Sequence, residues 1–240
     1  MTKKYILALF LFFTLVLTTY YCEKGINSIE YIKQDSVATD SKANCTVKEI
    51  NEDNEKYTIK GYIPCTNYKI LNEKIKSTIN ADIEQFKKDA SESIPVAEGL
   101  KLAFDFTFDS YDAGNYVSYV INEYINLGGA HPNTYVKTIS YDIKNNKVVT
   151  IQDLLKGNSK IIEQLSSYTR NELSNNSILK EVNDKDMLKA GTAAKIENFS
   201  RFAFDKKGLI IFFEKYQVAP YVAGDFTVTV PYDKINLKIK

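Results

Sequence analysis

The chain has 240 residues, of which 44% are apolar, and its 31 basic and 30 acidic side chains give a formal net charge of +1. This length and composition predict a packed globular protein and exclude a disordered chain. Because there is no broad basic excess to bind phosphate groups, we expect no nucleic-acid partner.

The chain begins with a hydrophobic leader, residues 1–22. Two lysines precede an uncharged stretch, residues 5–21, which is typical of a signal peptide or a membrane anchor. Two bulky tyrosines stand just before Cys22, where a cleavage site needs small residues, and they favour an uncleaved anchor through residues 5–21. A cleaved signal, with or without a lipid on Cys22, is the alternative. Both predict an extracytoplasmic protein, membrane-anchored or secreted.

Two cysteines, Cys45 and Cys65, lie beyond the leader and beyond a polar spacer, residues 23–43. Exported thiols meet an oxidising environment, so we predict a disulfide between them. A crosslink that closes about 20 residues stabilises a fold by roughly 3 kcal/mol in the loop-entropy description. In a reducing compartment both would be free thiols.

The next segments predict two paired strands and an amphipathic helix. TVKEI and YTIKGYI alternate between polar and apolar residues, which is the period of a strand. Residues 68–92 have apolar side chains spaced by four, four, four and three, which gives one helical face. The members of this face are Leu71, Ile75, Ile79, Ile83 and Phe86.

LKLAFDFTFDS is the clearest strand in the sequence. Its alternation predicts a buried face made of Leu100, Leu102, Phe104, Phe106 and Phe108. Asp105 and Asp109 are predicted on the solvated face. They lie four residues apart, about 13 Å along a strand, which is too far for an acid–base pair acting on one bond.

The rest of the chain predicts further strands and a second long helix. NYVSYVINEYIN and TYVKTISYDI alternate on either side of a glycine-containing loop, and Thr150 with Asp153 predicts a capping box for a short helix. KIIEQLSSYTRNELSNN predicts a helix that turns Ile161, Ile162, Leu165, Tyr168 and Leu173 inward. Residues 178–200 give no clear period, and strands follow to the end, with KKG as a tight turn.

These elements predict an α+β fold with mainly antiparallel sheets and two principal packed helices after the leader. We divide the exported part into an N-terminal subdomain, residues 44–95, and a C-terminal α+β domain, residues 96–240.

The first candidate site is the loop GGAHPNT, which contains the only histidine of the chain, His131. Pro132 disfavours helix for His131, and Pro132 with Asn133 suits the centre of a tight turn. A catalytic or metal-binding histidine needs an orienting acid, a nucleophile or further ligands, and the sequence shows no such motif. We therefore predict a structural or recognition role for His131, no catalytic residue, no metal and no cofactor.

The second candidate is KYQVAPYVAGDF, residues 215–226. Tyr216 and Tyr221 flank a proline, and tyrosines on a stiff loop make amphipathic contacts and stack on sugars. The alternative is that these rings close the edge of the core. The predicted ligand-binding residues of the two loops are Gly129, His131, Asn133, Tyr135, Tyr216, Tyr221 and Asp225.

These two stretches also resemble a known family. YINLGGAHPNTYVKTISYDIKNNKVVTIQDLL and KKGLIIFFEKYQVAPYVAGDFTVTVPYDKI resemble the extracellular domain of lysozyme-sensing anti-sigma factors. They also resemble the N-terminal region of a peptidoglycan N-acetylmuramic acid deacetylase, in which a deacetylase-type subdomain precedes a domain of unknown function. The resemblance covers roughly residues 44–237. It implies a secreted or surface domain of a Gram-positive bacterium. In the anti-sigma factors this domain binds lysozyme.

The ends of the chain differ from both relatives, so we expect neither a cytoplasmic sigma-binding domain nor a catalytic deacetylase domain. The expected function is a non-enzymatic binding module at the bacterial cell envelope, with a lysozyme-like protein or peptidoglycan as the ligand. The alternative is an envelope glycan hydrolase, or a deacetylase-associated enzyme, with a carboxylate site that carries no recognisable motif.

Overall fold

A computed structural model describes residues 46–93 and 99–239. The leader, the spacer and Cys45 lie outside the described residues, so the anchor and the Cys45–Cys65 disulfide stay predictions. Within the described ranges, no helix combines the length and the hydropathy that a bilayer span needs.

The larger sheet has six strands in the order in which they follow along the chain. They are β1 (Lys48–Asp53), β2 (Tyr57–Ile63), β3 (Leu102–Ala113), β4 (Tyr116–Asn126), β5 (Asn133–Asp142) and β6 (Lys147–Val149). All neighbours pair antiparallel except β2 and β3, which are parallel and are connected through helix α1 (Lys69–Glu92). This parallel pairing joins the two predicted subdomains in one sheet across residue 95.

Helix α1 covers one face of this sheet with the side chains that its period predicts. All five predicted apolar residues of α1 are buried, and the ring of Phe86 lies 5.6 Å from that of Phe104 on β3. The prediction for Leu100 is wrong. Leu100 precedes β3, which begins at Leu102, and its side chain is 40% exposed because the strand alternation does not reach it.

A smaller antiparallel sheet packs on the opposite face. It contains β7 (Phe202–Asp205), β8 (Gly208–Phe213) and β9 (Phe226–Val230), in chain order. Val120 of β4 packs with buried side chains of β7 and β8, while neighbouring residues of these strands contribute to a second core beneath the helices. The KKG segment is a tight turn between β7 and β8, as predicted.

The helices of the C-terminal half cover the far side of the smaller sheet. They are α2 (Ile151–Gly157), α3 (Ile161–Ser174), α4 (Ser177–Val182) and α5 (Lys185–Gly191). Thr150 forms the predicted capping box with Asp153 at the start of α2. The segment without a clear period contains α4, α5 and a 3-10 turn, helices too short to show one. The α+β class with mainly antiparallel sheets is confirmed.

Two buried serines join the two sheets. The hydroxyl groups of Ser118 on β4 and Ser140 on β5 lie 2.9 Å apart. Ser140 donates to the carbonyl oxygen of Phe202 at 3.2 Å, and the backbone N–H of Phe204 donates to Ser118 at 2.9 Å. We call this group the serine seam. It satisfies backbone groups of β7 inside a dry interface, where an unpaired group is costly.

Candidate functional site

The structure brings the two predicted loops together. His131 lies in the loop between β4 and β5, and Tyr221 begins a 3-10 turn between β8 and β9. Their ring centroids are 4.3 Å apart with an interplanar angle of 31°. The hydroxyl group of Tyr221 donates to the carbonyl oxygen of Pro132 at 2.8 Å, so a hydrogen bond fixes one loop against the other.

Tyr216 extends this contact into a row of three rings. Its ring lies 5.6 Å from that of Tyr221, and its side chain is 60% exposed. The backbone of Tyr216 has a φ of 66°, a left-handed conformation that is rare for an aromatic residue. We call His131, Tyr216 and Tyr221 the aromatic platform.

The loop that carries His131 is shaped by its first glycine. Gly128 has a φ of 75°, and its N–H group donates a hydrogen bond to the side-chain oxygen of Asn126 at 2.9 Å. Gly129 is exposed, with open space where a side chain would be. The predicted Pro132–Asn133 turn is wrong: the bend lies at residues 128–131, and Asn133 is the exposed first residue of β5.

A cleft of about 370 Å³ adjoins the platform. Lys215 connects the two, because its amino group lies 4.5 Å from the ring centre of Tyr221 and its side chain also lines the cleft. Of the predicted residues, Tyr135 and Asp225 line it. The other lining residues are Asp105, Phe106, Thr107, Asn122, Glu123, Tyr124, Thr134, Val136 and Glu214.

Asp105 differs from its predicted role as a solvated surface carboxylate. It is half-buried in the cleft, and this burial raises its pKa, while the charge of Lys60 acts in the opposite direction. Asp109 is exposed, as predicted, and accepts a hydrogen bond from Asn122 at 2.9 Å.

Glu214 fixes the cleft wall that comes from the smaller sheet. One carboxylate oxygen accepts a hydrogen bond from the backbone N–H of Val136 at 3.2 Å, and the other lies 3.2 Å from a guanidinium nitrogen of Arg201. Arg201 also donates to Gln217 at 2.6 Å. This network ties the open edge of β5 to the end of β8.

A buried carboxyl pair, Asp82 and Glu123, lies between α1 and the larger sheet. Burial and the neighbouring carboxyl group of Asp82 raise the pKa of Glu123 to about 8, although Lys137, 3.9 Å away, favours the charged form. Lys137 also forms an ion pair with Asp82. The surroundings of Glu123 therefore favour its neutral form.

Our sequence reasoning missed Glu123, but a signal was present. In NYVSYVINEYIN, Glu123 has the same phase as Tyr119 and Ile121, which face the core. An acidic residue in the buried phase of a strand needs a partner or a proton. Glu214 and Arg201 carry no comparable signal, because the loop and strand end that place them have no period.

The geometry suits recognition of a polar ligand with flat apolar faces. Exposed rings can stack on such faces, and the amide, hydroxyl and carboxylate groups of the cleft can bind hydroxyl and amide groups. Within residues 46–93 and 99–239, no three metal-ligand side chains are grouped to hold a metal ion.

Comparison with known proteins finds two family models along the chain. Residues 50–134 match the model described as Deacetylase PdaC, and residues 152–233 match DUF3298, a protein family of unknown function. The aromatic platform combines the two segments, since His131 lies in the first and both tyrosines lie in the second.

The curated relatives match this chain over only part of their own length. Peptidoglycan-N-acetylmuramic acid deacetylase PdaC of Bacillus subtilis is 32% identical over 171 residues, which cover 68% of this chain and 36% of PdaC. Immunogenic protein MPT64 of Mycobacterium tuberculosis is 26% identical over 117 residues, which cover 49% of each protein. The match thus spans about a third to a half of these relatives.

Two solved structures have the same fold. A DUF3298 family protein from Pseudomonas aeruginosa has a TM-score of 0.54 and 16% identity, with 80% of this chain and 92% of that chain covered. A DUF3298 family member from Bacteroides fragilis has a TM-score of 0.51 and 14% identity, with 81% and 93% covered. The resemblance to anti-sigma factors stays a prediction. The chain thus matches the Deacetylase PdaC model over residues 50–134 and the DUF3298 model over residues 152–233.

Proposed function

We propose that this chain is a non-enzymatic, extracytoplasmic binding module of the bacterial cell envelope, and that its aromatic platform and cleft bind peptidoglycan glycan. The observation that carries the proposal is the row of three rings, His131, Tyr221 and Tyr216, beside a polar cleft. Sugar rings present one apolar face and a rim of hydroxyl groups, which such a surface complements.

The comparisons support the cell-wall setting. The Bacillus subtilis relative is named as a peptidoglycan-N-acetylmuramic acid deacetylase, and this chain matches about a third of that protein. Transfer of the cell-wall setting, without the deacetylase chemistry, is part of our proposal. The extracytoplasmic placement agrees with the predicted leader, whether it is retained as an anchor through residues 5–21 or removed.

The test compares binding of the full-length chain to purified peptidoglycan with that of Tyr216 variants. Tyr216→Ala removes an exposed ring without opening the core, so we expect about 1 kcal/mol, or about fivefold, weaker binding. Tyr216→Phe keeps the ring and should retain most of the affinity. Equal binding by wild type and Tyr216→Ala would contradict the proposal.

A lysozyme-like protein is the other predicted ligand, and a substitution of Val222 distinguishes binding of a protein from binding of the glycan. Val222 stands on the same loop with 88% of its side chain exposed. A protein partner would cover it, whereas stacking on sugars uses the rings alone. If the wild-type chain binds lysozyme but not peptidoglycan, and Val222→Ala weakens the binding of lysozyme, then the ligand is a lysozyme-like protein and not the glycan. His131→Ala should weaken binding of either ligand and leave the metal content unchanged.

The rival function is an envelope glycan hydrolase, and one observation favours it. Asp105 lines the cleft, and burial raises its pKa, which favours the protonated state that a general acid requires. Turnover of chitooligosaccharide or muropeptide by the purified chain, abolished by Asp105→Asn, would establish the hydrolase and end the non-enzymatic proposal.

A further inference from the structure

A second cavity lies in the C-terminal half, away from the platform. It has a volume of about 370 Å³ and is enclosed by the end of α3, by α4, and by α5. Four cationic side chains line it: Arg170, Lys180, Lys185 and Lys189. The single acidic lining residue, Asp184, accepts a hydrogen bond from the backbone N–H of Met187 and caps α5.

None of these four cations forms an ion pair with another described residue. The whole chain is almost neutral, with a formal net charge of +1. Glu181 and Asp186 stand in the same segment but do not line the cavity, so the positive charge is concentrated on the cavity lining and not on the segment as a whole. Four like charges around one cavity repel each other, and an anion in the cavity relieves this repulsion.

Arg170 is held in position as a donor. Its Nε donates to the hydroxyl group of Thr192 at 2.9 Å, and one terminal nitrogen, Nη2, donates to Ser166 and to backbone carbonyl groups. The other terminal nitrogen, Nη1, donates to no described residue. A fixed guanidinium group with one free pair of N–H donors is the usual partner of a phosphate or carboxylate group.

The floor of the cavity is apolar. Leu179 and Val218 are buried, and Val182 and Leu188 are half-buried. A free inorganic anion leaves such a floor in contact with water, whereas an anion with an apolar substituent covers it. Three net positive charges exceed what one carboxylate balances and suit a doubly charged phosphate.

We propose that this cavity binds an organic phosphate monoester, with the phosphate group on Arg170 and the three lysines and the apolar substituent on the floor. The proposal is independent of glycan binding by the aromatic platform, since it uses none of the same residues. The ligand is defined by its chemistry: a phosphate dianion beside a small apolar group.

The test measures binding of phenyl phosphate to the full-length chain by calorimetry. Inorganic phosphate, which lacks the apolar group, and phenol, which lacks the charge, are measured for comparison. We expect phenyl phosphate to bind more tightly than either of these. The triple variant K180Q/K185Q/K189Q should bind it about tenfold more weakly, because three charge-assisted contacts are lost. Arg170→Lys keeps the charge but not the fork, and should weaken binding with the circular dichroism spectrum unchanged.

The matched control is K74Q/K76Q/K88Q, which removes the same charge from exposed, unpaired lysines of α1. This control should bind phenyl phosphate as wild type does. Equal weakening in both triple variants would overturn the proposal, because it would show a response to overall charge. A chain that does not bind phenyl phosphate, but binds vesicles of anionic phospholipid through the same lysines, would also overturn the proposal. That result would indicate a flat surface that contacts a membrane.

Discussion

Glu123→Gln is expected to remove a pH dependence of stability that the buried carboxyl pair creates. Burial and Asp82 raise the pKa of Glu123 from 4.5 to about 8 in the folded protein. Folding thus favours the neutral form of the Glu123 carboxyl group. This contribution to stability is fully present below pH 4.5 and is lost as the pH rises towards 8.

The magnitude follows from the two pKa values. A change from 4.5 to about 8 corresponds to at most about 5 kcal/mol. The protein around a newly formed buried charge relaxes and admits water, which reduces this upper value. We therefore expect a loss of about 2 to 3 kcal/mol between pH 5 and pH 8.5.

The assay is urea unfolding of the full-length chain, followed by circular dichroism at several pH values. Glutamine keeps the size of Glu123 and can donate to Asp82, so the variant should fold and lose most of the difference between pH 5 and pH 8.5. Glu172→Gln, on the exposed side of α3, is the matched control and should keep the wild-type profile. A Glu123→Gln protein that also keeps the wild-type profile would refute the assignment of a neutral buried acid.

Three further predictions concern the fold. Gly191→Ala would place a Cβ atom 1.8 Å from the carbonyl oxygen of Gln217, so it should cost about 3 kcal/mol or more, whereas Gly157→Ala meets open space and should be near neutral in the same thermal melt. Thr150→Ala removes half of the capping box with Asp153 and should lower the free energy of unfolding by about 1 kcal/mol and Tm by about 2 to 4 °C; an unchanged Tm would contradict this role. Thiol titration of the exported protein should find the predicted disulfide closed, and two reactive thiols would exclude it.

The parts of the fold that repeat with a period could be predicted from the sequence. The apolar spacing in α1 and the alternation in β3 each depend on one buried face, and both are confirmed. The parallel pairing of β2 with β3 could not be predicted in this way, because the pairing partner depends on where α1 returns the chain. The short helices α4 and α5 have six and seven residues, which is too few to display a helical face.

The candidate site likewise has a part that the sequence predicts and a part that it does not. Proline, glycine and aromatic residues indicated the two loops that form the platform, because proline restricts φ, glycine permits a positive φ, and aromatic rings on such loops make amphipathic contacts. The contact between the loops depends on a hydrogen bond from Tyr221 to Pro132, 89 positions apart, which no local pattern encodes. The carboxyl groups of the cleft depend in the same way on the packing of one sheet against the other.

The serine seam determines more than the packing around it. If only aliphatic and aromatic side chains lay between the two sheets, the sheets could pack in several relative positions, because apolar contacts are not directional. Ser118 and Ser140 accept only one alignment of β7, since any other offset strands buried backbone groups without partners. The relative position of His131 and Tyr221 therefore depends on the protein interior, and replacement of both serines by alanine should loosen the contact between the two loops that carry these rings.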